Sequence, residues 1–344
     1  SEADILEKQI QPASIDLRLS GVAYRVQASF LPGQNATVQE KLKTMEMHQI
    51  DLSNGAVLEK GCVYIVPLQE SLRLNSGISG TANPKSSTGR LDVFTRLLTD
   101  YTSEFETVCN GYNGPLYAEI SPRTFSILVR ASSTLNQLRF RKGHPIAADS
   151  AMRKLQETEG LIATENNKID INNGVAISVD LAGDSKTGLI GYRAKPHTAI
   201  VDIDKPGSCS VLDYWEPVYK QKNRPAALIL NPDEFYILMS KEFVTVPINY
   251  AAEMRAYDTK VGEFRVHYAG FFDPGFGHKS AGGAGTRAVL EVRSHDVPFL
   301  IEDGQTVCRL IYERMTQVPE RLYGAQNFGS NYQGQGLKLS KHFI

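Results

Sequence analysis

A chain of 344 residues is long for one hydrophobic core, so two domains are expected. Its 42% hydrophobic and 22% charged residues are ordinary for a globular protein. The formal charge of -1 excludes the broad basic excess of a general nucleic-acid binder, while leaving room for a basic pocket that takes a free nucleotide.

In chain order, short β-strands broken by Gly, Pro and Asn are expected over 57–67, 116–120 and 125–130. A helix follows from 144 to 160, where Ala147, Met152 and Leu155 punctuate charged residues up to Gly160. It opens a connector over 143–170 with a polar end, Thr164-Glu165-Asn166-Asn167-Lys168. Strands resume over 199–203, 226–239, 265–272, 288–292 and 306–313. Such a series favours a sandwich or barrel over a layered βαβ fold. No stretch approaches the ~18 apolar residues of a membrane span, and no basic segment followed by an apolar run opens the chain. No membrane association and a cytoplasmic location are therefore expected. Cys62, Cys109, Cys209 and Cys308 form no C-x-x-C pair and have no neighbouring His, so they read as reduced, mostly buried thiols.

The two sides of the connector echo each other. Ser14-Ile15-Asp16-Leu17 matches Ser178-Val179-Asp180-Leu181, and Val63-Tyr64-Ile65-Val66 matches Phe235-Tyr236-Ile237-Leu238. Tyr117-Ala118-Glu119 matches Val289-Leu290-Glu291, and Asn136-Gln137-Leu138-Arg139 matches Thr306-Val307-Cys308-Arg309. The spacing of about 170 residues is that of a whole domain. It reads as a duplication, with domains over 1–142 and 171–344.

The chemistry concentrates in three places. Lys85-Ser86-Ser87-Thr88-Gly89-Arg90 puts two cations and two adjacent hydroxyls in one turn, which can hold a polyphosphate, although in isolation such a turn is an ordinary helix cap. Glu119 can carry protons or face solvent; strict alternation groups Leu116, Ala118 and Ile120 apart from it. Asn331-Tyr332-Gln333-Gly334-Gln335-Gly336 is a segment that can close over a ligand or fray. Three features carry less. Lys279 to Thr286 lacks the Walker order and reads as a hairpin insertion, His267 as a hydrogen-bonded histidine, and Tyr214 and Trp215 as packing under a loop.

With these residues in order, the chain resembles the dCTP deaminase and dUTPase superfamily, and most of all dCTP deaminase in a two-domain form. Gln11-Pro12-Ala13-Ser14-Ile15-Asp16-Leu17-Arg18-Leu19 resembles the opening strand. Lys85 to Arg90 resembles the R-S-S-x-x-R phosphate motif, Gly270-Phe271-Phe272-Asp273-Pro274-Gly275-Phe276 the I-D-P-G-[WF] hairpin, and Asn331 to Gly336 the closing tail. The resemblance implies a mainly β protein of two tandem dUTPase-like distorted β-barrels (jelly-roll-like) joined by a helical connector. It implies Ser86, Arg90 and Glu119 as catalytic residues, with Lys85, Ser87, Tyr112, Asp273, Glu291, Tyr332 and Gln335 binding substrate. It further implies hydrolytic deamination of dCTP to dUTP and ammonia without zinc, Mg²⁺ bound through the triphosphate, possible dTTP inhibition, and a homo-oligomer, a trimer or a multiple of one.

The departures matter as much as the matches. Lys85 stands where the family has Arg, a point charge in place of a fork. Cys109 stands where an Asp precedes the Gly-aromatic hairpin, which weakens any dUTP hydrolysis by the first half. The second half keeps Asp273 and Glu291, but its phosphate motif reads Arg255-Ala256-Tyr257-Asp258-Thr259-Lys260. Either the first half is catalytic and the second structural, which we favour, or sites form across halves. Alternative readings are a bifunctional enzyme that releases dUMP and a non-catalytic nucleotide-binding regulator or scaffold.

Overall fold

A computed structural model describes residues 4–164, 169–221, 223, 225–256, 264–266, 270–294, 297–325, 334 and 336–344. The chain forms two compact units. The first comprises 1–144 together with 197–210 and 340–344; the second comprises 145–196 and 211–339. Segments 197–210 and 340–344, read from sequence as parts of the second half, thus complete the first unit.

In the first unit a five-stranded antiparallel sheet runs in the order Glu46–Asp51, Val22–Val26, Val63–Arg73, Asn113–Pro122, Val93–Thr99. A four-stranded sheet runs Ile15–Arg18, Thr134–Lys142, Ile78–Pro84, Thr107–Val108, and packs against the first. Alternation in the four-stranded sheet sends Leu17, Ala82 and Leu138 to one face and Asp16, Asn83 and Gln137 to the other. The apolar set is fully buried, and the polar set is also out of solvent. Buried polar groups must be partnered or serve a ligand, so this second face is where chemistry is to be sought.

Thr37 caps the helix Val38–Met45: its hydroxyl accepts from Glu40 N at 3.1 Å and Glu40 returns a bond to Thr37 N at 2.8 Å. That helix lays Val38 and Leu42 on Val26, Ile65, Leu98 and Tyr117. Strand Asn113–Pro122 is consequently buried on both faces, which explains why its apolar residues do not simply alternate with polar ones. A third, small sheet pairs Val201–Asp202 in parallel with Ile127–Val129, which pairs in turn with Ala56–Leu58. Arg130 clamps the added strand through a two-pronged pair to Asp202, at 2.7 and 2.9 Å.

The second unit repeats this plan. Its larger sheet runs Trp215–Tyr219, Leu189–Ala194, Phe235–Val244, Thr286–Ser294, Phe264–Val266, with Ile162–Ala163 joined to Phe235–Val244. Its smaller sheet runs Val175–Ser178, Thr306–Arg314, Tyr250–Ala256, Phe271–Phe272. The strands follow the same order in both units. The helix expected over 144–160 spans Asp149–Glu159, ends at Gly160 with φ 66°, and buries Met152 in this unit's core.

Two of the expected strands are each divided in the fold. The run 57–67 breaks into Ala56–Leu58 and Val63–Arg73, and 226–239 into Ala227–Leu230 and Phe235–Val244, each pair lying in different sheets. Trp215 begins a strand and is fully buried against Phe235, not merely tucked under a loop. Of the free thiols, Cys209 and Cys308 are buried, Cys62 is half-buried and Cys109 exposed. Among the described residues no helix is long and apolar enough to cross a membrane.

Candidate active site

Strand Ile78–Pro84 runs directly into the turn Ser86–Gly89. Lys85 N donates to Leu135 O at 2.9 Å, Thr88 N to Lys85 O at 2.8 Å and Arg90 N to Ser86 O at 3.1 Å, so the backbone of the motif is fixed. Lys85 turns its ammonium onto the polar sheet face, pairing with the Asp16 carboxylate and donating to Thr134 Oγ1 at 2.9 Å. Burial pushes the Asp16 carboxyl above its ordinary pKa, with the Lys85 charge opposing it. Asp16 Oδ1 is buried without a hydrogen-bond partner. The hydroxyls of Ser86 and Ser87 hold no hydrogen bond within the described residues, and Ser86 is half-exposed. Two hydroxyls and a cation thus stand on a fixed turn with donor capacity in hand. Arg90 is buried at the end of the turn.

Glu119 lies opposite Ile65 and Arg96 in the five-stranded sheet, on the face carrying Tyr117 and away from Leu116, Ala118 and Ile120. Strict alternation is therefore kept. Glu119 is only 1% exposed. Arg96 holds its Oε1 through Nε and Nη2 at 3.1 and 2.5 Å, and stacks its own guanidinium on Phe105, 3.4 Å from the ring centroid. Glu119 Oε2 is buried with no partner. One oxygen is anchored and the other is open, the state of a carboxylate that can accept a proton from a bound molecule.

Tyr112 spends its hydroxyl on its own hairpin, donating to Pro115 O at 2.7 Å and accepting from Asp100 N at 3.2 Å. Burial, with the charge of Asp100 adding to it, pushes this phenol up to about 12. In the second unit Glu291 faces Ile237 as Glu119 faces Ile65, and it too is buried. Asp273 opens the turn to Phe276, whose ring meets Phe272 edge-on at 5.0 Å and Tyr323 at 5.8 Å. Gly277 follows with φ 64°, and a Cβ there would come within 2.1 Å of Val244 O. Gly277→Ala is therefore expected to lower unfolding stability by about 2 kcal/mol or more, from left-handed strain plus the clash, measured by urea denaturation.

Tyr332, Gln335, His267 and Tyr257 to Lys260 lie outside the described residues. Gly334, within the tail, donates to Thr286 Oγ1 at 3.2 Å. It lines an open pocket of about 1180 Å³ in the second unit, whose walls include the pairs Arg287–Asp180 and Lys241–Asp303. Glu119 makes no hydrogen bond or ion pair with the Lys85–Arg90 turn among the described residues. Asp16, Thr134, Arg96 and Ser340, by contrast, touch the predicted residues and were not singled out from sequence. Asp16 sits in a motif that carried the resemblance, so its signal was present; Arg96 and Ser340 have none.

A family model for the 2′-deoxycytidine 5′-triphosphate deaminase N-terminal domain matches residues 1–144, and one for the C-terminal domain of that deaminase matches 148–343. The chain belongs to the dCTP deaminase family. It is 58% identical to a structure described as the 2′-deoxycytidine 5′-triphosphate deaminase from Agrobacterium tumefaciens, over 93% of this chain and 94% of that one, with a TM-score of 0.87. It is also 31% identical over 121 residues to a Streptomyces coelicolor protein named dCTP deaminase, dUMP-forming, covering 34% of this chain and 59% of that relative. A Methanosphaera stadtmanae protein of the same name is 29% identical over 143 residues, covering 40% of this chain and 68% of the relative.

Proposed function

We propose that the protein hydrolytically deaminates dCTP to dUTP and ammonia, with Glu119 as the proton carrier and the Lys85–Arg90 turn as the polyphosphate site. The observation that carries this reading is Glu119 itself, with one oxygen anchored by Arg96 and the other buried and open. In the reaction a water oxygen bonds to C4 of cytosine while Glu119 takes its proton and passes it to N3. The second water proton then goes by the same carboxylate to the 4-amino group, the C4–N bond breaks, and ammonia leaves with the C4 carbonyl formed. Ser86 orders the base or its water, Ser87 and Lys85 hold phosphate oxygens, and Arg90 contacts the catalytic region. Magnesium enters on the substrate's triphosphate. Trimeric assembly and dTTP inhibition belong to the same proposal.

A second reading is a bifunctional enzyme that also cleaves the product to dUMP and pyrophosphate. The names of the relatives favour it, and Asp273 supplies a carboxylate in the second unit. Cys109, where an Asp would activate the attacking water, speaks for dUTP as the end product. Anion-exchange analysis of protein incubated with dCTP and Mg²⁺ separates the two. We expect dUTP with matching ammonia; dUMP with pyrophosphate would establish the second reading, and no turnover by folded protein would leave a nucleotide-binding regulator.

A further inference from the structure

The first unit contains a segment that the phosphate motif alone gives no reason to expect. Residues 340–344 reach the Lys85–Arg90 turn at Ser87 and are tied down by buried groups. Ser340, 1% exposed, donates from Oγ to Ser87 O at 2.8 Å. His342, also 1% exposed, sets Nδ1 2.9 Å from that Oγ and Nε2 2.9 Å from Ile203 O. Phe343 packs its ring on Phe125 with centroids 6.2 Å apart and bridges in parallel to Cys209. The residue between the two anchors is Lys341. It is half-buried; burial first and the Lys85 charge second pull its pKa below the usual lysine value, and the charges of Asp16 and Asp204 oppose them.

Two ammonium groups thus share the neighbourhood of Asp16, with Asp204 the other carboxylate that acts on Lys341. Asp16 Oδ2 is already taken by Lys85, and Lys341 makes no ion pair among the described residues. Like charges held this way repel, and a half-buried cation that closes no ion pair is unfavourable. An anion carrying several charges would remove both penalties. The adjacent hydroxyls of Ser86 and Ser87 are free to donate to it.

We propose that the strap 340–344 is part of the phosphate-binding site, with Lys341 supplying a second cation to the triphosphate beside Lys85, and Ser340 fixing the Ser87 carbonyl so that the turn presents its hydroxyls. This rests on the dCTP reading for the identity of the ligand, but not for the presence of an anion site. It also accounts for Lys85 where a forked guanidinium is the usual choice: two point charges from separate segments replace one fork.

Titration calorimetry with inorganic tripolyphosphate, alongside dCTP kinetics, tests it on the full chain. Lys341→Gln is expected to weaken tripolyphosphate binding by about tenfold and raise KM for dCTP by a similar factor, with kcat within about twofold. Lys341→Arg should restore most of the affinity, and the difference between Gln and Lys should shrink as salt rises. Unchanged tripolyphosphate affinity in Lys341→Gln, or equal loss in the Gln and Arg variants, would overturn the proposal and leave the strap a purely structural element. Failure of the wild-type protein to bind tripolyphosphate would overturn it as well. Wild-type protein that binds tripolyphosphate yet leaves dCTP intact would refute the deaminase reading while upholding the anion site.

Discussion

Glu119→Gln is expected to lower kcat for dCTP by about three orders of magnitude, within the range that a lost general acid–base contributes, while KM stays within about twofold. The amide keeps the size of the carboxyl and can still accept from Arg96, so the sheet is retained; what disappears is the capacity to take and return a proton at Oε2. Single-turnover chromatography separates this loss from slow product release. The same exchange at Glu291, which holds the corresponding place in the second unit, is the internal comparison. If Glu119→Gln leaves kcat intact and Glu291→Gln abolishes it, the chemistry belongs to the second unit's carboxylate and the first half provides only the phosphate turn.

Arg96→Met should have the largest effect on stability. Glu119 is nearly inaccessible, and Arg96 supplies its only hydrogen bonds among the described residues. Removing the guanidinium leaves a buried carboxylate uncompensated, a loss of about 3–5 kcal/mol in the unfolding free energy, to which the lost stacking on Phe105 and Phe94 adds. Chemical denaturation measures it. The double variant Arg96→Met, Glu119→Gln should recover a substantial part of that loss, because no buried charge is then left alone. If the single variant loses no stability, water reaches Glu119 and the buried, anchored carboxylate on which the mechanism depends does not exist.

Local patterning carried the repeat well in the strands that form each larger sheet. Tyr117-Ala118-Glu119 and Val289-Leu290-Glu291 do occupy the same place, as do the segments around Ile65 and Ile237. The opening strand was misaligned. Ser14 to Leu17 looks like Ser178 to Leu181, yet in the fold Arg18 is the counterpart of Ser178. Each follows a bulge, lies opposite Thr134 or Thr306, and receives a carboxylate at its backbone N–H, from Glu70 at 2.8 Å or Glu242 at 2.9 Å. The side chains do the same work with different chemistry: Arg18 Nε donates to Glu70 at 2.7 Å and Ser178 Oγ to Glu242 at 2.6 Å. Residue identity differs while the hydrogen bond is kept, so the likeness of Ser14–Leu17 to Ser178–Leu181 is a chance match.

The site was legible where it is contiguous and illegible where it is assembled. Lys85 to Arg90 announces itself because six residues in one turn carry the pattern. Its partners Asp16, Thr134 and Ser340 arrive from three other segments, through sheet register and strap docking that no local window encodes. Arg96 is an ordinary strand cation until pairing sets it across from Glu119.

The composition of the first unit has a consequence for the order in which the molecule can be made. Val201–Asp202 and residues 340–344 are integral to it, yet they leave the ribosome long after residue 144. Synthesis from the N-terminus gives a nascent first half with an unfilled sheet edge until 201–202 emerge and an unclamped phosphate turn until 340–344 do. The half that is made first is therefore the half that finishes last.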